Sequence, residues 1–361
     1  MDIDVQFPIQ SSESVPYMST AYVTHKRYTE HNLDSHYEHA GRIEAVWAQL
    51  QSAGLLDRLQ CITPSPVTDA QILSVHTQDH LNRLNAVSTQ DRTILLEQDT
   101  YASPTSPEIA RLSAGGVIES IDAIMTNQAD NAMAVVRPPG HHATPNRSMG
   151  FCLLNNIAIG ARYAQSKYDL KKVLIIDYDV HHGNGTQDIF YGDDSVMFIS
   201  IHQSPLYPGT GRVSETGYLN GKGYTLNVPI QGGHSDDAYK LIVDQLIWKA
   251  VERFNPDLML ISVGLDAHWV DPLANMRLSL SGYDMLAREC IKMANQVCDG
   301  KIAFVMEGGY DLKALSHGWR NVAHALLGDN ELSDPYGKAP SSLPLEDIHA
   351  EIAPIKKLHG L

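Results

Sequence analysis

The chain has 361 residues, 43% of them hydrophobic, which suits one large domain or two small ones with a sizeable buried core. Its 27 basic and 42 acidic side chains give a formal charge of −15, which argues against direct binding of duplex nucleic acid but is compatible with cationic substrates. No apolar stretch approaches the ~20 residues of a membrane span.

The opening Met-Asp-Ile-Asp-Val-Gln carries neither a basic region nor an apolar run, so a cytoplasmic protein without a signal peptide is expected. Cys61, Cys152, Cys290 and Cys298 form no CxxC pair, and buried reduced thiols are expected of them. Residues 1–19 are polar and read as an extension. Thr20–Val23 reads as a short strand. The apolar spacing predicts helices over Ile43–Leu55 and Pro107–Ile124, the second running through Gly115-Gly116 as a site of close packing. Strands and helices then alternate. Ala132–Val136, Val173–Ile176, Ser195–Ile201, Leu258–Val263 and Ile302–Met306 read as strands. Asn155–Gln165, Tyr239–Phe254, Tyr283–Val297 and Leu315–Leu327 read as helices. This order predicts a parallel sheet covered on both faces, in one α/β domain over residues 20–333. Residues 334–361 begin rich in Pro and Ser and are expected to wrap the surface.

Each polar motif directly follows one of these strands. Arg137-Pro138-Pro139-Gly140-His141-His142 follows the second, and Asp177-Tyr178-Asp179-Val180-His181-His182 the third. Gly264-Leu265-Asp266 and Glu307-Gly308-Gly309-Tyr310 follow the last two. In open parallel sheets, sites form beyond the carboxyl ends of the strands, so the four motifs should share one crevice. Asp177, Asp179 and His181 are spaced two apart, which puts them on one side of an extended chain. Two carboxylates and an imidazole there suit zinc or another first-row divalent metal; the bland alternative is a strand-end loop with solvated acids. Asp266, after a glycine that allows close approach, is the natural third ligand beside Asp179 and His181. His141 and His142 could each take a proton role, with Asp177 and Asn184 as orienting partners, or could be turn histidines bound to carbonyls. Tyr310 could donate to a developing oxyanion, although a tyrosine after a strand is more often packing. Gly150-Phe151 and Tyr207 could wall a narrow channel. His182, His202 and His268 read as structural, and Glu307 as a partner for a cation or a turn cap.

Six segments together resemble the zinc-dependent histone deacetylase superfamily, which includes bacterial deacetylase-like amidohydrolases and acetylpolyamine amidohydrolases. They are residues 138–143, 150–156, 177–187, 207–211, 264–268 and 307–310, in that order. The resemblance implies the arginase–deacetylase fold, a parallel eight-stranded sheet flanked by helices. It implies catalytic zinc on Asp179, His181 and Asp266, where iron or cobalt could substitute. It implies His141 and His142 as the acid–base pair with His142 as base, and Tyr310 as the oxyanion donor. Phe151 and Tyr207 match positions flanking an acyl-lysine tunnel, and Asp99 a rim acid that grips substrate backbone. Asp177, Asp179, His181, Ser200 and Ile201 match a structural site for potassium or sodium; Phe190, Asp193, Val196 and Tyr224 match a second. Asn184 stands where one branch of the family has Asp, which looks like the class II branch. Tyr207 replaces the usual phenylalanine, and Leu273 stands where polyamine-selective class II relatives carry a gatekeeping glutamate. The expected activity is therefore removal of acetyl groups from lysine side chains of a peptide or protein. Acetylpolyamine deacetylation, with an acetylated small amine as substrate, is the alternative. An arginase-like two-metal hydrolase and a non-catalytic acyl-lysine-binding module are more distant ones. No direct nucleic-acid or membrane partner is expected, and a homo-oligomer is possible.

Overall fold

The computed structural model describes residues 18–361; the expected extension over residues 1–19 lies almost wholly outside them. The strands are β1 (Thr20–Val23), β2 (Gln60–Ile62), β3 (Ile94–Glu97), β4 (Thr100–Ala102), β5 (Asn131–Ala134), β6 (Val173–Asp177), β7 (Val196–Gln203), β8 (Thr225–Ile230), β9 (Leu258–Val263) and β10 (Ile302–Met306). Eight of them form one sheet in the order β2-β1-β5-β10-β9-β6-β7-β8, with every neighbouring pair parallel. β3 and β4 make a separate antiparallel hairpin. The central strands β5, β6, β9 and β10 are buried along their whole length, as a parallel sheet covered on both faces requires.

The helices are α1 (Gly41–Ser52), α2 (Asp69–Ile72), α3 (Gln78–Val87), α4 (Ser106–Met125), α5 (Asn156–Tyr168), α6 (Asn184–Phe190), α7 (Asp236–Ile242), α8 (Trp248–Phe254), α9 (Leu280–Val297), α10 (Leu312–Leu326) and α11 (Leu345–His359). α4 runs unbroken through the glycine pair. A Cβ on Gly115 would lie 1.8 Å from the Ser65 carbonyl oxygen, so close packing is the reason for glycine there. The expected helix over Tyr239–Phe254 is α7 and α8 joined by a π turn, Val243–Ile247.

Two expectations need correction. The C-terminal segment does more than wrap the surface: Ile348, Ile352 and Ile355 repeat at helical spacing and bury one face of α11, which packs against β8 and α7. Cys61, on edge strand β2, is exposed, whereas the other three thiols are buried as expected.

The sheet order positions the chemistry. The chain passes from β5 to β6 and leaves a gap that β9 and β10 later fill. The four motif-bearing strands, β5, β10, β9 and β6, are therefore consecutive neighbours at the centre of the sheet.

Candidate active site

Beyond these four strand ends, the ligand atoms of Asp179, His181 and Asp266 lie within 4.8 Å of one another, and all three residues are buried. Each carboxylate is aimed by backbone N–H groups. Asp179 Oδ1 accepts from His181 N (2.9 Å) and Oδ2 from Gly308 N (2.8 Å), while Asp266 Oδ1 accepts from Val180 N (2.9 Å). The motif after β10 thus fixes a side chain from the motif after β6. His181 turns Nδ1 toward both acids, 3.3 Å from Asp179 Oδ1 and 3.2 Å from Asp266 Oδ2. Burial alone would raise Asp179, but His141 and His181 hold its carboxyl well below the usual range.

His141 and His142 pack ring on ring, with centroids 4.0 Å apart. The loop carrying them is fixed from several sides. Asn156 Nδ2 donates to the Pro138 carbonyl (3.0 Å) and Asn155 Nδ2 to that of Ala143 (3.2 Å), while Asn155 Oδ1 caps α5 at Ala158 N (3.0 Å). Glu307 Oε2 accepts from Gly140 N (2.7 Å) and His141 N (3.2 Å), and its Oε1 from Ser262 Oγ (3.0 Å). Of the two sequence readings for Glu307, the structure shows the turn cap.

The orienting partners are those expected. His141 Nδ1 lies 2.9 Å from Asp177 Oδ2 and His142 Nδ1 lies 2.8 Å from Asn184 Oδ1. Their electrostatics differ. Burial lowers both rings, but Asp179, Asp177 and Glu307 outweigh it at His141 and hold that ring well above its ordinary value. Asp177 is itself raised to about 7 by burial, against the pull of His141, so the two titrate together around one shared proton. At His142, burial is reinforced by His141 and His181, and the ring is held well below its ordinary value. The two adjacent rings are thus pushed apart, His141 toward its protonated form and His142 toward its neutral one.

Tyr310 enters from the side. Its backbone N–H donates to Asp271 Oδ2 (2.7 Å), and the Arg42 guanidinium lies 4.9 Å from its ring centroid. Burial holds the phenol well above its ordinary value despite Arg42, so it remains a proton donor. Among the described residues its hydroxyl has no hydrogen-bond partner, which leaves it for another acceptor. The mouth is aromatic. Phe151 meets Tyr310 edge to face at 5.7 Å and His36 at 4.6 Å, and Tyr207 stands 5.2 Å from the His142 ring and 6.3 Å from that of His181. Gly150 and Phe151 both take positive φ (54° and 68°), and a Cβ on Gly150 would lie 2.4 Å from the His142 ring. The Phe151 turn, costly for a non-glycine residue, is held by its N–H donating to Thr100 Oγ1 (3.0 Å). Asp99 is half-buried beside this hairpin, with its carbonyl 3.0 Å from His36 Nε2. Leu273 is half-buried on the loop whose Asp271 Oδ1 accepts from its N–H (3.0 Å).

Sequence reading missed the support beneath Tyr310. Glu38, Arg42 and Arg137 are fully buried. Arg137 pairs with both Glu38 oxygens (2.8 and 2.7 Å), and Arg42 Nη1 lies 3.2 Å from Glu38 Oε1. Arg42 also donates to the carbonyls of Gly309 (2.8 Å) and Glu307 (2.6 Å), so it clamps the Glu307–Tyr310 turn. Asp271, raised to about 7 by burial and then by Asp266, holds Tyr310 from the other side. The available signal was the spacing of Arg42, directly before Ile43 and four residues before Val46, on the apolar face of α1. His182 and His202 are structural, bridging Thr210 to Gln187 and Ser200 to the Gly211 carbonyl.

Comparisons with known proteins show the family and the fold. The histone deacetylase domain family matches residues 36–326. Histone deacetylase 10, chloroplastic, of Oryza sativa subsp. japonica is 38% identical over 92% of this chain and 79% of its own length. The histone deacetylase-like amidohydrolase of Pseudomonas aeruginosa is 40% identical over 72% of this chain and 69% of its own. The crystal structure of the HDA15 HD domain superposes with a TM-score of 0.85 at 35% identity, covering 94% of this chain and 95% of that one. No helix among the described residues is long and apolar enough to cross a membrane. With this eight-stranded parallel sheet and these motifs at its strand ends, the chain belongs to the histone deacetylase family, whose relatives are deacetylases and amidohydrolases.

Proposed function

We propose that this protein is a zinc-dependent amidohydrolase that removes acetyl groups from amines, with acetyl-lysine side chains as its substrate class. The observation that carries the reading is the convergence, at four neighbouring strand ends, of a buried Asp179–His181–Asp266 set with the His141/His142 pair and the free hydroxyl of Tyr310.

The donor set fits zinc: one imidazole and two buried carboxylates, each aimed by backbone donors at a common point. Bound there, zinc would supply Lewis acidity toward the amide carbonyl and toward an attacking water. The other work belongs to the chain's own residues. His142, neutral and with Nδ1–H donated to Asn184, presents Nε2 as the base that takes the proton of water. Tyr310 donates its O–H to the oxygen that becomes negative as the amide carbon turns tetrahedral. The leaving amine takes its proton from the protonated histidine pair, where Asp177 keeps His141 cationic. Phe151 and Tyr207 enclose the methylene stem of the acylated side chain and exclude water. A second metal as in an arginase-like enzyme is not favoured. Among the described residues the other buried group of ligand type, His141, Cys152 and Glu307, has both Glu307 oxygens already bonded, and burial holds the Cys152 thiol well above its ordinary value.

The same reading gives Asp177, Asp179, His181, Ser200 and Ile201 a monovalent cation; β6 and β7 pair Asp177 with Ser200 in register. At the second expected cation site the Asp193 carboxylate already pairs with Arg162 (2.6 Å), whose guanidinium lies 4.7 Å from the Phe190 ring centroid. Any ion there would rely on carbonyl oxygens rather than on the Asp193 side chain.

The test is a panel of acyl-lysine peptides and acetylated putrescine and spermidine, assayed together with metal analysis. The reading expects about one zinc per chain and faster turnover of acetyl-lysine peptides than of the polyamines. Faster turnover of the polyamines would replace the substrate class, and no amide hydrolysis by the zinc-loaded chain would overturn the activity.

A further inference from the structure

We infer a binding site for a phosphate-bearing small anion in a cleft at the amino-terminal edge of the sheet, opposite the active site. The cleft has a volume of about 400 Å³ and is bounded by residues at the starts of β6, β7 and β8 and by the end of α11. Lys172 immediately precedes β6 and Tyr224 immediately precedes β8, whereas Asp177 closes β6 at the catalytic edge. At ~3.3 Å per residue the two edges are separated by at least ~13 Å of strand.

Three cations surround the cleft: Lys172, Lys222 and Arg253. Among the described residues no carboxylate lines it. Among the described residues none of the three forms an ion pair, in a chain whose formal charge is −15. Two of them are held in place by neutral groups. Lys172 Nζ donates to the Phe254 carbonyl (3.0 Å) and Arg253 Nη1 to that of His359 (2.6 Å). Both keep further N–H donors free, and Lys222 keeps all of its own. Three exposed positive charges around one concavity raise the potential there, which favours an anion.

Two residues that line the cleft carry buried polar atoms. Thr216 is 3% exposed and His359 9%, and among the described residues neither Thr216 Oγ1 nor His359 Nε2 has a partner. Buried polar groups of this kind are normally bonded, so each has a bond that the fold beside the cleft leaves unmade. Burial, then the charges of Arg253 and Lys222, holds the His359 ring below its ordinary value and favours its neutral form. The ammonium groups of Lys172 and Lys222 and the guanidinium of Arg253 are the donors that phosphate oxygens take. Tyr224 and Phe254, edge to face at 5.8 Å, add an aromatic wall for an organic group attached to the phosphate.

Isothermal titration of the full-length, zinc-loaded chain with inorganic pyrophosphate, and separately with ADP, tests this. The expected result is saturable binding at one equivalent. It should weaken at least tenfold in Lys222→Ala/Arg253→Ala and at least threefold in Lys222→Ala, whose side chain makes no hydrogen bond in the fold. Tighter binding of ADP than of pyrophosphate would identify an organic phosphate as the occupant, and the reverse a free one; both support the site. Absence of saturable heat up to millimolar ligand overturns the proposal. So does binding that is equally tight in the double variant, because the ligand would then sit at the metal centre.

Discussion

The floor and the mouth of the active site are built differently. On the floor, Asp177, Asp179 and Asp266 are fully buried, His141 and His142 nearly so, and each is held by named partners from neighbouring strand ends. At the mouth, Tyr207 is 37% exposed and Tyr37, 6.3 Å from the Tyr310 ring, is 52% exposed. Its walls come from separate loops around residues 36, 99, 151, 207 and 273. On the proposed function the floor would fix which bond is broken, and the mouth which amine carries it. Substitutions on the floor should cost orders of magnitude and those at the mouth only small factors.

The largest effect is expected for Asp266→Ala. Zinc content should fall from one equivalent to a small fraction, and turnover of an acetyl-lysine peptide should drop by at least ~10³-fold. Retention of the metal would show that the floor is not the metal site. Glu38→Gln probes the support of the floor. It leaves Arg42 and Arg137 buried beside a neutral partner, and a denaturant midpoint should report a loss of about 3–5 kcal/mol. A stability unchanged within error would mean that the clamp on the Glu307–Tyr310 turn does not depend on Glu38.

Asn184→Asp changes the base without removing it. His142 must be neutral to accept a proton, and burial with His141 and His181 holds it below 6.5. The acid limb of kcat/KM should therefore lie below that pH in the native enzyme. A carboxylate at 184 favours the charged ring, raises its pKa and moves the acid limb to higher pH by about one unit. An unmoved limb would take the base role away from His142. The smallest effect is expected for Tyr207→Phe, which deletes only a hydroxyl from a half-exposed ring. KM for an acetyl-lysine peptide should change by less than about fivefold with kcat nearly unchanged. A hundredfold loss in kcat would erase the distinction between floor and mouth.

The same division governs what could be read from the sequence. Floor residues lie in short runs directly after apolar strands, so Asp179, His181, Asp266 and both histidine partners were legible from spacing and from the family resemblance. Core strands such as β6 and β9 were legible because burial on both faces leaves an unbroken apolar run. β8 was not, since it is an edge strand whose Thr-Leu-Asn-Val-Pro-Ile carries a proline that only an edge tolerates. The β3–β4 hairpin was missed because its strands are only four and three residues long, yet its Thr100 holds the Phe151 turn. Nothing local marks Glu38 and Arg137, 99 positions apart, as partners; only the adjacency of β1 and β5 brings their segments together.

The most direct test of the account is the turnover of an acetyl-lysine peptide by zinc-loaded Tyr310→Phe, with zinc content measured on the same sample. The variant keeps the ring against Phe151 and Arg42 and loses only the hydroxyl that has no partner in the fold. The account predicts about one zinc per chain, an unchanged unfolding midpoint, and a kcat lower by about 10²–10³-fold. Wild-type turnover in this variant would contradict it.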